Sequence, residues 1–210
     1  MIFKKLVIGM MENNCYIVAD KETYEAAIFD APFDSTPICK FLAKNDLDLK
    51  YIFLTHGHFD HITAVEGILA QFPNAKIVAH QSCDVILSEA AKNLTDRYCR
   101  NPLTLSADIK VDDGDIVKLG NIEVKVIHTP GHTCDSVCFL VDDKLISGDT
   151  LFRLEVGRAD FPTSNFEQEL RLITEKLYKL PPETTVYPGH GVTTTIADEI
   201  NGNPYTKGIV

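Results

Sequence analysis

The sequence predicts an α+β chain, and three observations predict it. Short β-prone runs separated by polar turns fill the first thirty residues, from residue 35 onward amphipathic helical stripes alternate with apolar runs, and several of those runs stop abruptly at glycine-flanked polar motifs.

Taken in order, the runs over residues 2–8, 15–19 and 26–29 have the pattern of an antiparallel meander. Asp34-Ser35-Thr36-Pro37 predicts a helix start, with Ile38, Phe41 and Leu42 as its buried stripe. Tyr51-Ile52-Phe53-Leu54 is continuously apolar, as expected of a strand buried on both faces, and runs straight into Thr55-His56-Gly57-His58. The next helix carries Ile62, Val65, Leu69 and Phe72 at spacings of three and four, and Pro73 ends it. A strand over 75–79 and a helix over 83–91 follow. The second half predicts a strand pair over 115–119 and 122–127, then strands over 137–141 and 144–146. Ser164-Asn165-Phe166-Glu167 is a capping-box signature for a helix whose stripe is Phe166, Leu170, Ile173, Leu177 and Leu180, closed by Pro181-Pro182. Thr185-Val186-Tyr187 is a last short strand, running into Pro188-Gly189-His190-Gly191. There is no fixed-period repeat.

The 210 residues suit one well-buried domain spanning 1–210, and 45% hydrophobic with 24% charged residues is ordinary globular composition. A formal net charge of −10 and no basic stripe argue against a nucleic-acid partner, whose phosphates require clustered Lys and Arg. The N-terminal apolar run is too short for a secretory core, and no stretch approaches the roughly 20 apolar residues that span a bilayer, so a cytoplasmic protein without a membrane partner is expected. Six cysteines without a CxxC pair read as free thiols. Cys134 and Cys138, near a motif histidine, read first as buried filler and second as soft metal ligands.

His56-x-His58-x-Asp60-His61 places three imidazoles and a carboxylate within six residues of one strand-to-helix loop. Packing alone does not account for that density. Imidazole and carboxylate suit borderline divalent ions such as Zn, Fe and Mn, and no thiolate is present to favour softer ones. Gly131-His132, Gly148-Asp149-Thr150 and Gly189-His190-Gly191 each follow a predicted strand. A single histidine in such a place is more often satisfied by hydrogen bonds than by metal, but five of the seven histidines lie at glycine-flanked strand ends, and together they point to ligands. His80 and His128 lack that setting and read as structural, His128 also as a partner to a ligand.

Thr55-His56-Gly57-His58-Phe59-Asp60-His61, His128-Thr129-Pro130-Gly131-His132-Thr133, Gly148-Asp149-Thr150 and Pro188-Gly189-His190-Gly191 resemble, in order, the four metal motifs of the metallo-β-lactamase superfamily. Gly157-Arg158-Ala159-Asp160-Phe161-Pro162 and Asn203-Pro204-Tyr205 resemble its glyoxalase II-like hydrolases. The resemblance implies a four-layer αββα sandwich and two divalent metal ions, zinc first, with iron or manganese compatible. It implies His56, His58 and His132 on one ion, Asp60, His61 and His190 on the other, and Asp149 bridging. Asp60 and Asp149 would also orient a hydroxide shared by the ions, which attacks a carbonyl carbon. A thiol leaves as thiolate without a strong acid because its pKa is near 8.5, so a small-molecule thioester such as S-lactoylglutathione is the implied substrate. The sequence ends five residues after Tyr205, so the helical C-terminal region of full-length glyoxalase II is expected to be missing. Arg158 falls where the family contacts glutathione, and reads equally as a substrate-carboxylate ligand or as an ion pair with Asp160. The resemblance also admits an iron-dependent persulfide dioxygenase; a nuclease or an inert metal-binding module fits less well. The oligomeric state stays open.

Overall fold

The computed structural model describes residues 1–208, so the expected span of 1–210 ends on two residues outside the described ones. The elements follow in the order β1 (Ile2–Ile8), β2 (Asn13–Ala19), β3 (Glu25–Phe29), α1 (Ser35–Lys44), β4 (Asp48–Phe53), α2 (Phe59–Ile62), α3 (Val65–Leu69), β5 (Lys76–His80), α4 (Asp84–Leu87), α5 (Thr95–Tyr98) and β6 (Ile109–Val111). The second half comprises β7 (Ile116–Leu119), β8 (Ile122–His128), β9 (Val137–Val141), β10 (Lys144–Gly148), β11 (Leu151–Phe152), β12 (Glu155–Val156), α6 (Phe166–Glu175), β13 (Thr185–Pro188), β14 (Thr194–Thr195) and α7 (Ile196–Gly202). Among the described residues no helix is long and apolar enough to cross a membrane.

Two six-stranded sheets, ordered β1-β2-β3-β4-β5-β6 and β14-β13-β10-β9-β8-β7, form the two inner layers. The expected meander is β1 to β3, all antiparallel, after which β3, β4, β5 and β6 run parallel. Side chains alternate between the faces of a strand, and here both faces are buried. Ile28 and Ile52 point to the helices α1 and α3, whereas Phe29 and Phe53 point to the other sheet. In the second sheet Val137 and Phe139 face inward while Cys138 packs outward with Ile173 and Ile196 of α6 and α7. The three apolar layers that result separate helix, sheet, sheet and helix, the αββα sandwich. That double burial is why these strands read as unbroken apolar runs.

Several elements differ from the sequence reading. The helix expected through Ile62 to Phe72 is broken after α2, because Ala64 donates its N–H to Ala31 O (2.8 Å) and the Thr63 hydroxyl accepts from Phe33 N (3.0 Å). The helix expected over 83–91 is regular only in α4, with further turns after it. The cap of α6 is Asn165, whose side chain accepts from Gln168 N, while the Ser164 hydroxyl donates to His132 O (2.6 Å). A single-residue shift in the cap therefore ties the start of α6 to a motif histidine.

The inner layer holds a stacked Phe29–Phe53 pair, 4.9 Å between centroids, with Phe139 of the opposite sheet 5.0 Å from Phe53. Phe139→Ala is expected to cost about 3–5 kcal/mol, read as a lower urea midpoint at unchanged slope; a loss below about 1 kcal/mol would contradict this packing. On α6, Glu169 is wholly buried, neither of its oxygens has a hydrogen bond of ordinary geometry, and burial pushes its acid up to about 9. It is protonated when folded and ionised when unfolded between its ordinary value near 4.5 and about 9, so it withdraws stability as pH rises through that window. Glu169→Gln should therefore gain on wild type as pH rises from 5 to 9 in denaturation experiments; a pH-independent difference would refute the assignment.

Candidate metal centre

All seven residues singled out from the sequence come together at one end of the sandwich. His56 and His58 lie in the turn after β4, Asp60 and His61 on α2, His132 after β8, Asp149 immediately after β10, and His190 two residues after β13. Main-chain bonds hold the segments in register: Val137 N to Thr55 O (2.8 Å), Ala31 N to His61 O (2.7 Å) and Asn14 N to Gly189 O (2.7 Å). Gly189 is required by closeness, since a Cβ there would lie 2.2 Å from Asp149 Oδ1 and 2.8 Å from the His61 ring. Gly148 is required twice over, by φ of +51° and by Thr55 2.5 Å from where its Cβ would stand.

The donor atoms fall into three groups whose members lie within 4.8 Å of one another: His56, His58 and His132; His56, His61 and Asp149; and Asp60, His61 and His190. His61 Nε2 is 3.4 Å from Asp149 Oδ1, and Asp149 Oδ2 is 3.7 Å from His190 Nε2 and 3.9 Å from His132 Nε2. Asp60 Oδ2 lies 3.2 Å from His190 Nε2.

Outer hydrogen bonds decide which ring nitrogens are free. The Thr55 hydroxyl donates to Asp30 Oδ2 (2.8 Å) and so accepts from His56 Nδ1 (3.1 Å). His61 Nδ1 donates to Asp30 Oδ2 (2.8 Å), His132 Nδ1 to Arg158 O (2.7 Å) and His190 Nδ1 to Met11 O (3.0 Å). Four imidazoles thus engage Nδ1 with an outer acceptor and turn Nε2 inward, the orientation that metal-ligating histidines adopt. His56 Nε2 and Asp149 Oδ1 are buried with no hydrogen-bond partner. Such orphaned acceptors, made of nitrogen and carboxylate oxygen, fit a borderline divalent cation.

The electrostatics divide the centre in two. Burial, with repulsion from neighbouring rings, lowers His56, and burial brings His58 down to about 3 and lowers His132 as well, so these rings stay neutral. Burial works against charge at His61 too, but Asp149, Asp60 and Asp30 outweigh it and raise the ring well above the ordinary value. Asp60 and Asp149 are held below the usual carboxylate range despite burial, chiefly by His61. The carboxylate side of the centre therefore demands positive charge.

Sequence reasoning missed two buried residues here. Asp30, with φ of +61°, accepts from Thr55 N (2.8 Å), the Thr55 hydroxyl and His61 at once. Asn13, wholly buried, donates to Asp60 Oδ2 (2.9 Å) and lies 3.2 Å from His190 Nε2. The signal for Asp30 was its place directly after a strand, as at Asp149; nothing local marked Asn13. Arg158 is exposed and forms a two-point ion pair with Asp160 (3.1 and 2.8 Å). His128 bonds none of the seven residues, and its Nε2 donates to Cys134 O (3.2 Å). Among the described residues no cysteine joins a metal-competent group.

A cleft of about 1230 Å³ opens over the centre, walled by Phe33, Phe59, Tyr98, Phe152 and Phe161, with Arg97, Arg153 and Arg158 on its lining. Phe59 and Tyr98 stack at 4.6 Å, forming a flat apolar side. His58, Asp60, His132, Asp149 and His190 form the polar part of the same lining.

Comparison with known proteins places this geometry among relatives. The chain is 30% identical over 202 residues to the hydroxyacylglutathione hydrolase GloC of Haemophilus influenzae, covering 94% of each chain. The crystal structure of the BLEG-1 B3 metallo-beta-lactamase superposes with a TM-score of 0.91 at 33% identity, covering 99% of this chain and 100% of that one. That of ETHE1 from Myxococcus xanthus gives 0.82 at 32% identity, covering 97% and 84%. The family model for the metallo-beta-lactamase superfamily matches residues 8–190, from the end of β1 to the last motif histidine, and the chain belongs to that superfamily.

Proposed function

We propose that the chain is a binuclear metal-dependent hydrolase of thioesters, its substrate class the S-2-hydroxyacyl thioesters of glutathione. His56, His58 and His132 would hold one divalent ion, Asp60, His61 and His190 the other, with Asp149 between them. Zinc is the ion expected first, and iron or manganese suits the same donors. The observation that carries the reading is the second donor triad, Asp60, His61 and His190, beside the first, with Asp149 within 4 Å of rings from both. Bound divalent ions would lower the pKa of water towards neutrality and polarise a carbonyl.

The chain's own residues do the rest. Asp30 and Thr55 fix the rings of His61 and His56, so that little reorganisation is left when substrate binds. Asn13 steadies the Asp60 carboxylate by donating its side-chain N–H to Oδ2. No imidazole in the centre is left over as an acid for the leaving group, which suits a thiolate and not an amine. The aromatic wall receives the acyl and thiol chains. Arg97 and Arg153, neither with a carboxylate within ion-pair distance among the described residues, would meet the carboxylates of the thiol, and Arg158 would contribute once it exchanges Asp160 for substrate.

The likeness to ETHE1 supports a second reading, an iron-dependent persulfide dioxygenase, which needs a single iron and leaves the Asp60, His61 and His190 triad without a role.

Purified protein is expected to release thiol from S-lactoylglutathione, to lose that activity to a chelator and to regain it with zinc, at close to two ions per chain. Oxygen uptake with glutathione persulfide at one iron per chain would establish the alternative instead. Asp30→Asn, which keeps the shape and weakens the acceptor, should reduce metal affinity or kcat/KM about 10- to 100-fold with little change in KM; unchanged metal content and rate would remove Asp30 from the centre.

A further inference from the structure

Between Asp149 and the Arg158 loop the chain forms a hairpin of two two-residue strands, β11 and β12, joined by Arg153 and Leu154. Phe152, Arg153, Glu155 and Val156 of this hairpin line the cleft, and Arg153 at its tip has no carboxylate within ion-pair distance among the described residues. So short a hairpin is not stable by itself. Its base is fastened on the side of the metal centre, where the Ser147 hydroxyl donates to Leu151 O (2.8 Å) and Gly157 N to Thr150 O (3.3 Å).

The tip is fastened to a different element. Leu154 has φ of +59°, a left-handed conformation that a leucine occupies only where its surroundings impose it. Its N–H points at Glu199 of α7, 3.1 Å from Oε1 and 3.0 Å from Oε2. Glu199 is wholly buried, and it also accepts from the Thr194 hydroxyl (2.6 Å) and from Asn203 Nδ2 (2.8 Å). Asn203 Nδ2 reaches the hairpin as well, at Glu155 O (3.3 Å). The Leu154 side chain rests on Gly202, where a Cβ would stand 2.9 Å from Leu154 Cδ2. The Asn203-Pro204-Tyr205 motif sets this up: Asn203 closes α7 with its N–H on Glu199 O (3.0 Å), its Oδ1 accepts from Tyr205 N (3.0 Å), and Pro204 cannot continue the helix.

We propose that Glu199 and Asn203 are positioning residues for substrate affinity, holding the hairpin tip so that Arg153 is presented to the anionic end of the thiol. The inference rests on the reading of the chain as a hydrolase of thioesters whose thiol is anionic. Both residues are buried and neither bonds any of the seven donors of the metal centre, so they act only through the hairpin. A carboxylate is the group that the position requires, because it accepts from three donors and offers none, whereas a glutamine of the same shape turns an N–H towards one of them. An arginine on a turn already held loses less freedom when an anion binds, and that gain appears in affinity. The bonds at the hairpin base do not involve Glu199, so the metal centre keeps its geometry when the tip is released.

Steady-state kinetics of the zinc-loaded enzyme test this with two substrates, S-lactoylglutathione and the lactoyl thioester of N-acetylcysteamine, whose thiol is uncharged. Glu199→Gln and the milder Asn203→Ala are each expected to raise KM for the first about tenfold, at unchanged kcat and metal content, and to leave the second unaltered. Arg153→Ala should raise the same KM, and adding Glu199→Gln to it should raise it no further. Effects that add, or that fall equally on both thioesters, would overturn the proposal and leave Glu199 a purely structural group. Hydrogen exchange at the Leu154 amide of wild type needs neither substrate nor variant: slow exchange is expected, and exchange at the rate of an open turn would equally refute the holding of the tip. Failure of the thioesterase reading has its own signature, wild type that hydrolyses neither thioester, and the exchange result still decides whether Glu199 holds the turn that carries Arg153.

Discussion

Mutual compensation between buried imidazoles and buried carboxylates is the constraint on which the functional end of this molecule depends. His56, His58, His61, His132 and Asp60 are each less than a tenth exposed. Burying that many polar groups costs several kcal/mol apiece unless each finds a partner. Outward-facing nitrogens find theirs in Asp30, Thr55, Arg158 O and Met11 O, and the inward-facing ones find each other and the two carboxylates. The residual demand is for positive charge, concentrated between Asp60, Asp149, His61 and His190.

The sandwich meets that demand by geometry that is cheap elsewhere. Strands buried on both faces need no polar side chains along their length, so polar residues collect where the strands stop. β4, β8, β10 and β13 deliver their last residues to one end, and Gly148 and Gly189 let the backbone pass close enough for Asp149 to reach both rings. Rigid strands behind short loops hold the donors in place, which is what preorganised electrostatic chemistry requires.

The sequence by itself determined the α+β class, the double-faced strands, the position of most elements and the seven side chains of the main centre, because period-two and helical patterns are local and because four motifs sit directly after strands. It also left Arg158 open between two roles, and the fold displays the ion pair with Asp160. Only the tertiary structure decided the break between α2 and α3, the cap at Asn165, and the parts played by Asp30, Asn13 and Glu199. Each of these rests on a bond between residues distant in the chain: Ala64 to Ala31, Ser164 to His132, Asp30 to His61, Asn13 to Asp60 and Leu154 to Glu199. A hydrogen bond across such separations leaves no periodicity in the sequence, since neither partner's neighbours need to differ from those of an ordinary turn or strand.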